Sequence, residues 1–171
     1  MKGTVSMLRT ETIFHPFVLT APDGDFTVTI AHTVTHDPSQ IKKVSNAYGD
    51  DYILYDVTDA SVSLEWNRET YCGRGMENAC QTEGALRDLE RKLPAGIKIK
   101  SCLTCRHGNF CTFGSNDNEI FCVPDLEPKQ KTDLDFIFLS EKPDEWLKRR
   151  RSLFHVCPEY KPDSAECWSY K

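Results

Sequence analysis

No apolar run in this sequence approaches the ~20 residues that a membrane-spanning helix needs. Positive charge is also in short supply. Lys and Arg number 21 against 26 Asp and Glu, a net charge of −5, which argues against nucleic acid as a partner because an extended footprint needs a basic face. The opening stretch, Met1 to Glu11, lacks the uninterrupted apolar core of a secretory leader. The chain is therefore expected to be cytoplasmic. Short catalytic signatures are missing too: there is no Gly-x-Ser-x-Gly elbow, no nucleotide-binding glycine loop and no His-Glu-x-x-His. Gly73-Arg74-Gly75 is not followed by the Lys-Ser/Thr of a phosphate loop. Asp50, Asp51, Asp56 and Asp59 do not have the spacing of a calcium loop, and turn chemistry accounts for them. No internal repeat is visible. None of this makes a positive case for an enzyme, although catalytic groups often assemble from distant residues.

What is present describes a folded protein. A chain of 171 residues with 39% hydrophobic and 11% aromatic content has the means to build one core. Thr12 to Thr20 is β-branched and aromatic, and Pro16 inside it fits an edge strand or a bulge. Ala21-Pro22-Asp23-Gly24-Asp25 reads as a tight hairpin turn, with proline presetting φ and glycine free to take positive φ. Phe26, Val28, Ile30 and Val34 then alternate with threonines, the clearest strand in the chain. His32 falls on its apolar face, where a buried, hydrogen-bonded histidine is preferred to a ligand. Asp37 to Lys43 reads as a loop and Asn46 to Asp51 as a turn. Tyr52 to Val57 and Ser61 to Trp66 read as strands, and residues 67–81 as irregular.

Thr82 to Leu93 is a predicted helix, with Thr82 as its cap, Leu86, Leu89 and Leu93 on one face, and Pro94 and Gly96 ending it. Ile97 to Lys100, Glu119 to Val123 and Leu134 to Leu139 read as further strands. A second helix starts at Pro143 with Trp146, Leu147, Leu153 and Phe154 as its apolar face. The basic run Lys148-Arg149-Arg150-Arg151 lies within that helix. A solvated face is the preferred reading, ahead of a contact for nucleic acid or an acidic partner. The expected fold is mainly β (α+β). An antiparallel sheet or sandwich with one helix occupies residues 1–100, and a cysteine-rich, metal-stapled portion occupies 101–171, the two packed as one body.

The chemistry lies in eight cysteines, at 72, 80, 102, 105, 111, 122, 157 and 167. A reduced compartment disfavours disulfides and leaves metal ligation or buried thiols. Cys102-Leu103-Thr104-Cys105 is a CxxC pair whose turn can aim two sulfurs at one ion, and zinc favours four such donors in a tetrahedron. The most economical set is Cys102, Cys105, Cys122 and Cys157. Cys111 competes with Cys122 for third place, and Cys167, His107 and His155 are substitutes. An iron–sulfur cluster is the rival cofactor, since four cysteines also hold clusters, but five residues separate Cys105 from Cys111 where ferredoxins keep a tight run. A thioredoxin-like redox pair should open a helix, and Gly108, Asn109 and Gly114 disfavour one here. Residues 101–130 are poor in aliphatics, which makes a metal staple attractive, with Arg106 and amides near Gly108 and Asn109 offsetting thiolate charge.

The Cys-x-x-Cys, the short loop with glycine and an aromatic residue, a cysteine on a following strand and the late Cys157-Pro158-Glu159-Tyr160 resemble bacterial cysteine-rich domains of uncharacterised function. The likeness covers roughly Cys102 to Tyr160, and the additional Cys111 departs from it. It implies four clustered cysteines and no particular activity. The functional expectation is a zinc-binding protein that works through contacts with a protein partner; the alternatives are an iron–sulfur or thiol redox protein, or a metal-dependent enzyme.

Overall fold

The computed structural model describes residues 7–45, 51–54, 57–76, 80–140 and 143–171. The alternation seen in the sequence builds a mainly β, antiparallel fold. Strands β1 (Arg9–Ala21) and β2 (Gly24–His36) pair along their whole length, from Arg9 opposite His36 to Ala21 opposite Gly24. Pro22 and Asp23 form the connection and Gly24 takes φ +134°, a conformation that side chains resist. Strands β3 (Lys42–Ser45) and β4 (Asp51–Leu54) form a separate two-stranded ribbon. The turn expected over Asn46 to Asp51 lies outside the described residues except for Asp51, as do Tyr55 and Asp56 of the strand expected at Tyr52 to Val57. Strand β5 (Val57–Trp66) continues the main sheet beside β2.

Residues 67–81 are not irregular throughout: Glu69–Arg74 is strand β6. Asn67 and Arg68 have φ of 51° and 68°, the paired positive values of a tight hairpin turn joining β5 to β6. The sequence concealed this because arginine stands where such turns usually carry glycine. Gly73 has a packing role. A Cβ there would lie 2.0 Å from the Ala85 carbonyl oxygen and 2.5 Å from the Leu89 amide nitrogen, so only glycine lets helix α1 (Gln81–Lys92) rest on β6. Thr82 lies inside α1 and does not cap it; Cys80 takes the cap position, and its side chain makes no capping bond to the helix. Strand β7 (Lys98–Lys100) pairs with β1 only at Val18, Leu19 and Thr20. Pro16 therefore sits on a stretch of β1 with one free flank, as its missing N–H requires. The sheet order is β6-β5-β2-β1-β7.

A small second sheet orders β10 (Arg150–Arg151), β9 (Ile120–Cys122) and β8 (Gly108–Asn109). Between β9 and β10 the structure departs from expectation twice. Leu134 to Leu139 belongs to a helix, α2 (Lys131–Ser140), and is not a strand. Leu134 and Ile137 are buried at helical spacing while Phe136 and Leu139 are exposed, and Asp133 accepts the amides of Lys129 and Gln130 at the helix start. The second expected helix is only α3 (Pro143–Leu147). Leu153 and Phe154 follow β10 and enter the core beside Phe17, Leu19, Ile30, Leu86 and Leu103. That core joins residues of both portions, and each fully buried Leu or Phe in it contributes about 1.5–3 kcal/mol. Residues 101–130 are accordingly better packed than their composition implied, with Leu103, Phe110, Ile120, Phe121 and Val123 all buried. Among the described residues, no helix is long and apolar enough to cross a membrane.

Candidate metal centre

Local hydrogen bonds set the geometry of the CxxC. Ser101 accepts the Leu103 amide and Thr104 Oγ1 accepts the Ser101 amide, closing a one-turn 3-10 helix over Cys102–Thr104. The Cys102 amide donates to the His155 carbonyl at 2.8 Å, and the Gly108 amide donates to the Cys105 carbonyl at 2.9 Å. Gly108 is required for this fold-back, because a Cβ there would lie 2.1 Å from the Cys102 carbonyl oxygen. Cys122 sits on β9 opposite Gly108, its amide bonded to the Arg149 carbonyl. Cys157 starts a turn in which the Tyr160 amide returns to its carbonyl and the Glu159 amide donates to its sulfur at 3.2 Å.

None of these four cysteines forms a disulfide, and they are 4%, 4%, 7% and 6% exposed in chain order. Burial first, then the charges of Cys122, Cys105 and Cys157, hold the Cys102 thiol far above its ordinary range, with Arg151 acting the other way. Burial also pushes Cys122 up to about 11; Arg151 opposes this, while Cys105, Cys157 and Glu159 add to it. Cys105 and Cys157, from different stretches of chain, thus act on both Cys102 and Cys122. Without a cation, Cys102 and Cys122 rest as neutral thiols at pH 7; a bound metal reverses that, because a coordinating thiol is deprotonated outright. Among the described residues, no three His, Cys, Asp or Glu side chains stand close enough to form a ready metal site. Coordination therefore requires the thiols to close in.

Each of the substitutes has its own surroundings. Cys111 is half-buried with Glu119 and Asp135 as its charged neighbours, and its amide goes to Ser115 Oγ. His107 is half-buried among Lys161, Arg106, Glu159 and Glu127. His155 serves the site through its backbone carbonyl. Cys167 lies on the C-terminal segment, its amide bonded to Ser164. The cation expected beside the thiols was Arg106; the one whose charge bears on Cys102 and Cys122 is Arg151, which sequence reasoning placed on a solvated helix face. The basic run is instead taken up in contacts: Lys148 with Glu145, Arg149 with Asp125, and Arg150 with the buried Glu119 at 2.5 Å.

A second polar constellation went unseen in the sequence. His32 is fully buried, as expected, with Nε2 2.9 Å from Thr82 Oγ1, and Thr82 donates its hydroxyl to Asp117. Asp117 also accepts the Thr82 amide and the Cys80 thiol. His15 stacks on Phe154 with centroids 4.2 Å apart and lies 5.7 Å from the His32 ring. His15 Nε2 and His32 Nδ1 are both buried without a hydrogen-bond partner. Burial pushes His15 down to about 4; burial and the His15 charge push His32 down to about 3. Its members come from β1, β2, α1 and the loop before β9, a grouping that no local motif announces. No protein family, curated protein or solved structure matches the chain.

Proposed function

We propose that this is a metal-binding protein in which Cys102, Cys105, Cys122 and Cys157 hold one structural zinc ion in a reducing, cytoplasmic setting. The observation that carries the reading is that four buried cysteines, none in a disulfide, come from distant stretches of chain, with Cys105 and Cys157 bearing on both Cys102 and Cys122. Zinc suits such a set because it takes four thiolates tetrahedrally and has no redox chemistry of its own. Binding would contribute on the order of 10 kcal/mol of apparent folding free energy at neutral pH. Its effect would be to tie β9 and the Cys157 turn to the CxxC loop. The partner is taken to be a protein, and Phe113, 62% exposed on the loop between β8 and β9, is an apolar group available to it.

The test is elemental analysis with a visible spectrum on the full chain, purified without oxygen. About one zinc per chain and no visible absorbance supports the proposal. Iron with visible absorbance reassigns the same four ligands to an iron–sulfur cluster. Neither metal, with all eight thiols titrating freely, sinks it.

A further inference from the structure

We propose that His15 and His32 form a histidine-only metal site for one nitrogen-preferring divalent ion, such as nickel(II) or copper(II). His15 Nε2 and His32 Nδ1 are its two protein donors, and water completes the shell. Neutral imidazole is the donor that such ions favour. The site does not depend on the four-cysteine centre.

The register of the β1–β2 hairpin brings the pair together. His15 lies opposite Ile30 and His32 opposite Ile13, so the two histidines are diagonal neighbours on the sheet face that carries Phe17 and Ile30 into the core. Their ring centroids are 5.7 Å apart, and the Phe154 ring closes a triangle, 4.2 Å from His15 and 4.8 Å from His32. With metal–nitrogen bonds of about 2.0–2.1 Å, two imidazoles on one ion stand about 5–6 Å apart centre to centre, which matches the spacing found. Within this cluster His15 Nε2 and His32 Nδ1 are both buried without a hydrogen-bond partner, where a buried polar atom ordinarily has one.

The other nitrogen of His32 is arranged as in a metal-binding histidine. A ligating imidazole donates its second N–H to an acceptor, which fixes the tautomer and makes the free nitrogen more basic. Thr82 gives its hydroxyl proton to Asp117, so its Oγ1 accepts from His32 Nε2–H at 2.9 Å and Nδ1 keeps its lone pair. His36, further along the same face, is engaged with Glu11 at 3.0 Å and is not a donor here. His32 is fully buried and His15 only half-buried, so the ion and its waters enter from the His15 side. Two protein donors leave coordination positions open, the condition under which a metal takes up a small ligand or activates water.

The experiment titrates nickel(II) into the full chain with zinc present to occupy the cysteines. Calorimetry gives stoichiometry and affinity, the absorbance spectrum reports any thiolate bound to nickel, and broadening of NMR resonances by the paramagnetic ion locates it. About one nickel per chain is expected, with no thiolate charge-transfer band and with broadening centred on His15 and His32. His15→Phe, which keeps the stack on Phe154, and His15→Leu should abolish binding at concentrations that saturate the wild type. Thr82→Val should weaken it by about 10–100-fold, the usual effect of losing an outer-shell partner. Circular dichroism checks each fold, and two His15 variants of different shape keep the test valid if one fails. No nickel binding by the wild type, or equal binding by wild type and His15 variants, would overturn the site. A thiolate band with the histidine resonances untouched would also overturn it, by placing the ion on cysteine. Zinc uptake by the cysteines, measured separately, should be the same in wild type and His15 variants, so that loss of one site is distinguished from loss of the other.

Discussion

His32 is the donor in its hydrogen bond to Thr82. The two atoms are 2.9 Å apart, and Thr82 gives its one hydroxyl proton to Asp117, whose carboxylate can only accept. Thr82 Oγ1 must then accept from His32 Nε2–H, which leaves Nδ1 as a bare lone pair, buried and without a partner. Together with His15, held against Phe154, this puts two neutral imidazoles inside the fold.

Acid should therefore destabilise the protein well before its carboxylates titrate. The folded values are about 4 for His15 and about 3 for His32, below the 6.5 of an unfolded chain. Above pH 6.5 both states are neutral and nothing is lost. As pH falls below 6.5 the unfolded chain takes up protons first, so stability declines until the folded values are reached. Each histidine contributes a slope approaching about 1.4 kcal/mol per pH unit. Denaturant unfolding at pH 7, 6 and 5 should show the decline, and His15→Phe should flatten it while keeping the stack on Phe154. An unchanged slope in His15→Phe would sink this account of His15.

Thr82→Val tests the relay itself. The substitution preserves shape but leaves His32 Nε2–H unpaired and takes one donor from Asp117. A loss of about 1–3 kcal/mol is expected, the usual effect of stranding a buried donor. The midpoint of urea unfolding should shift at constant slope, and Thr82→Ser should restore most of it.

Gly73→Ala probes how α1 sits on the sheet. The new methyl would meet backbone atoms of Ala85 and Leu89, which cannot swing aside as a side-chain tip can. The helix must lift, at a cost of about 1–3 kcal/mol or more. Gly24→Ala, where a Cβ meets nothing within 4 Å, suffers only from its positive φ and serves as the comparison. If Gly73→Ala folds as stably as wild type, α1 does not rest on β6 as described.

Period-two patterning was enough to read β2, where apolar residues alternate with threonine and one face is buried; β1 was readable from its β-branched and aromatic residues, and β5 only from Ser61 onward. Leu134 to Leu139 was not readable in this way: six residues, mostly apolar, suit a buried strand or a helix, and the deciding bonds from Asp133 lie upstream. Leu153 and Phe154 fit a helical stripe continuing from Trp146, yet Arg150–Arg151 pairs with β9 and breaks it. At the centre, the CxxC was legible by spacing. That Cys122 faces Gly108 depends on the pairing of β9 with β8, and the place of Arg151 depends on a two-residue strand. Such long-range pairings leave no local trace.

The assignment of ligands can be taken residue by residue. Cys102→Ala, Cys105→Ala, Cys122→Ala and Cys157→Ala should each weaken zinc by more than the about 10–100-fold expected from an outer-shell change. Cys72→Ala, Cys111→Ala and Cys167→Ala should leave affinity near wild type, since none of these is among the charges acting on Cys102 or Cys122. Each variant is best measured twice, by chelator competition and by thermal unfolding with and without zinc. The stabilisation that zinc confers should vanish in the first group and persist in the second. The decisive pair is Cys111 and Cys122. Loss of zinc in Cys111→Ala with retention in Cys122→Ala would mean that the loop after β8, and not β9, supplies the third sulfur, and that the fold rearranges on binding.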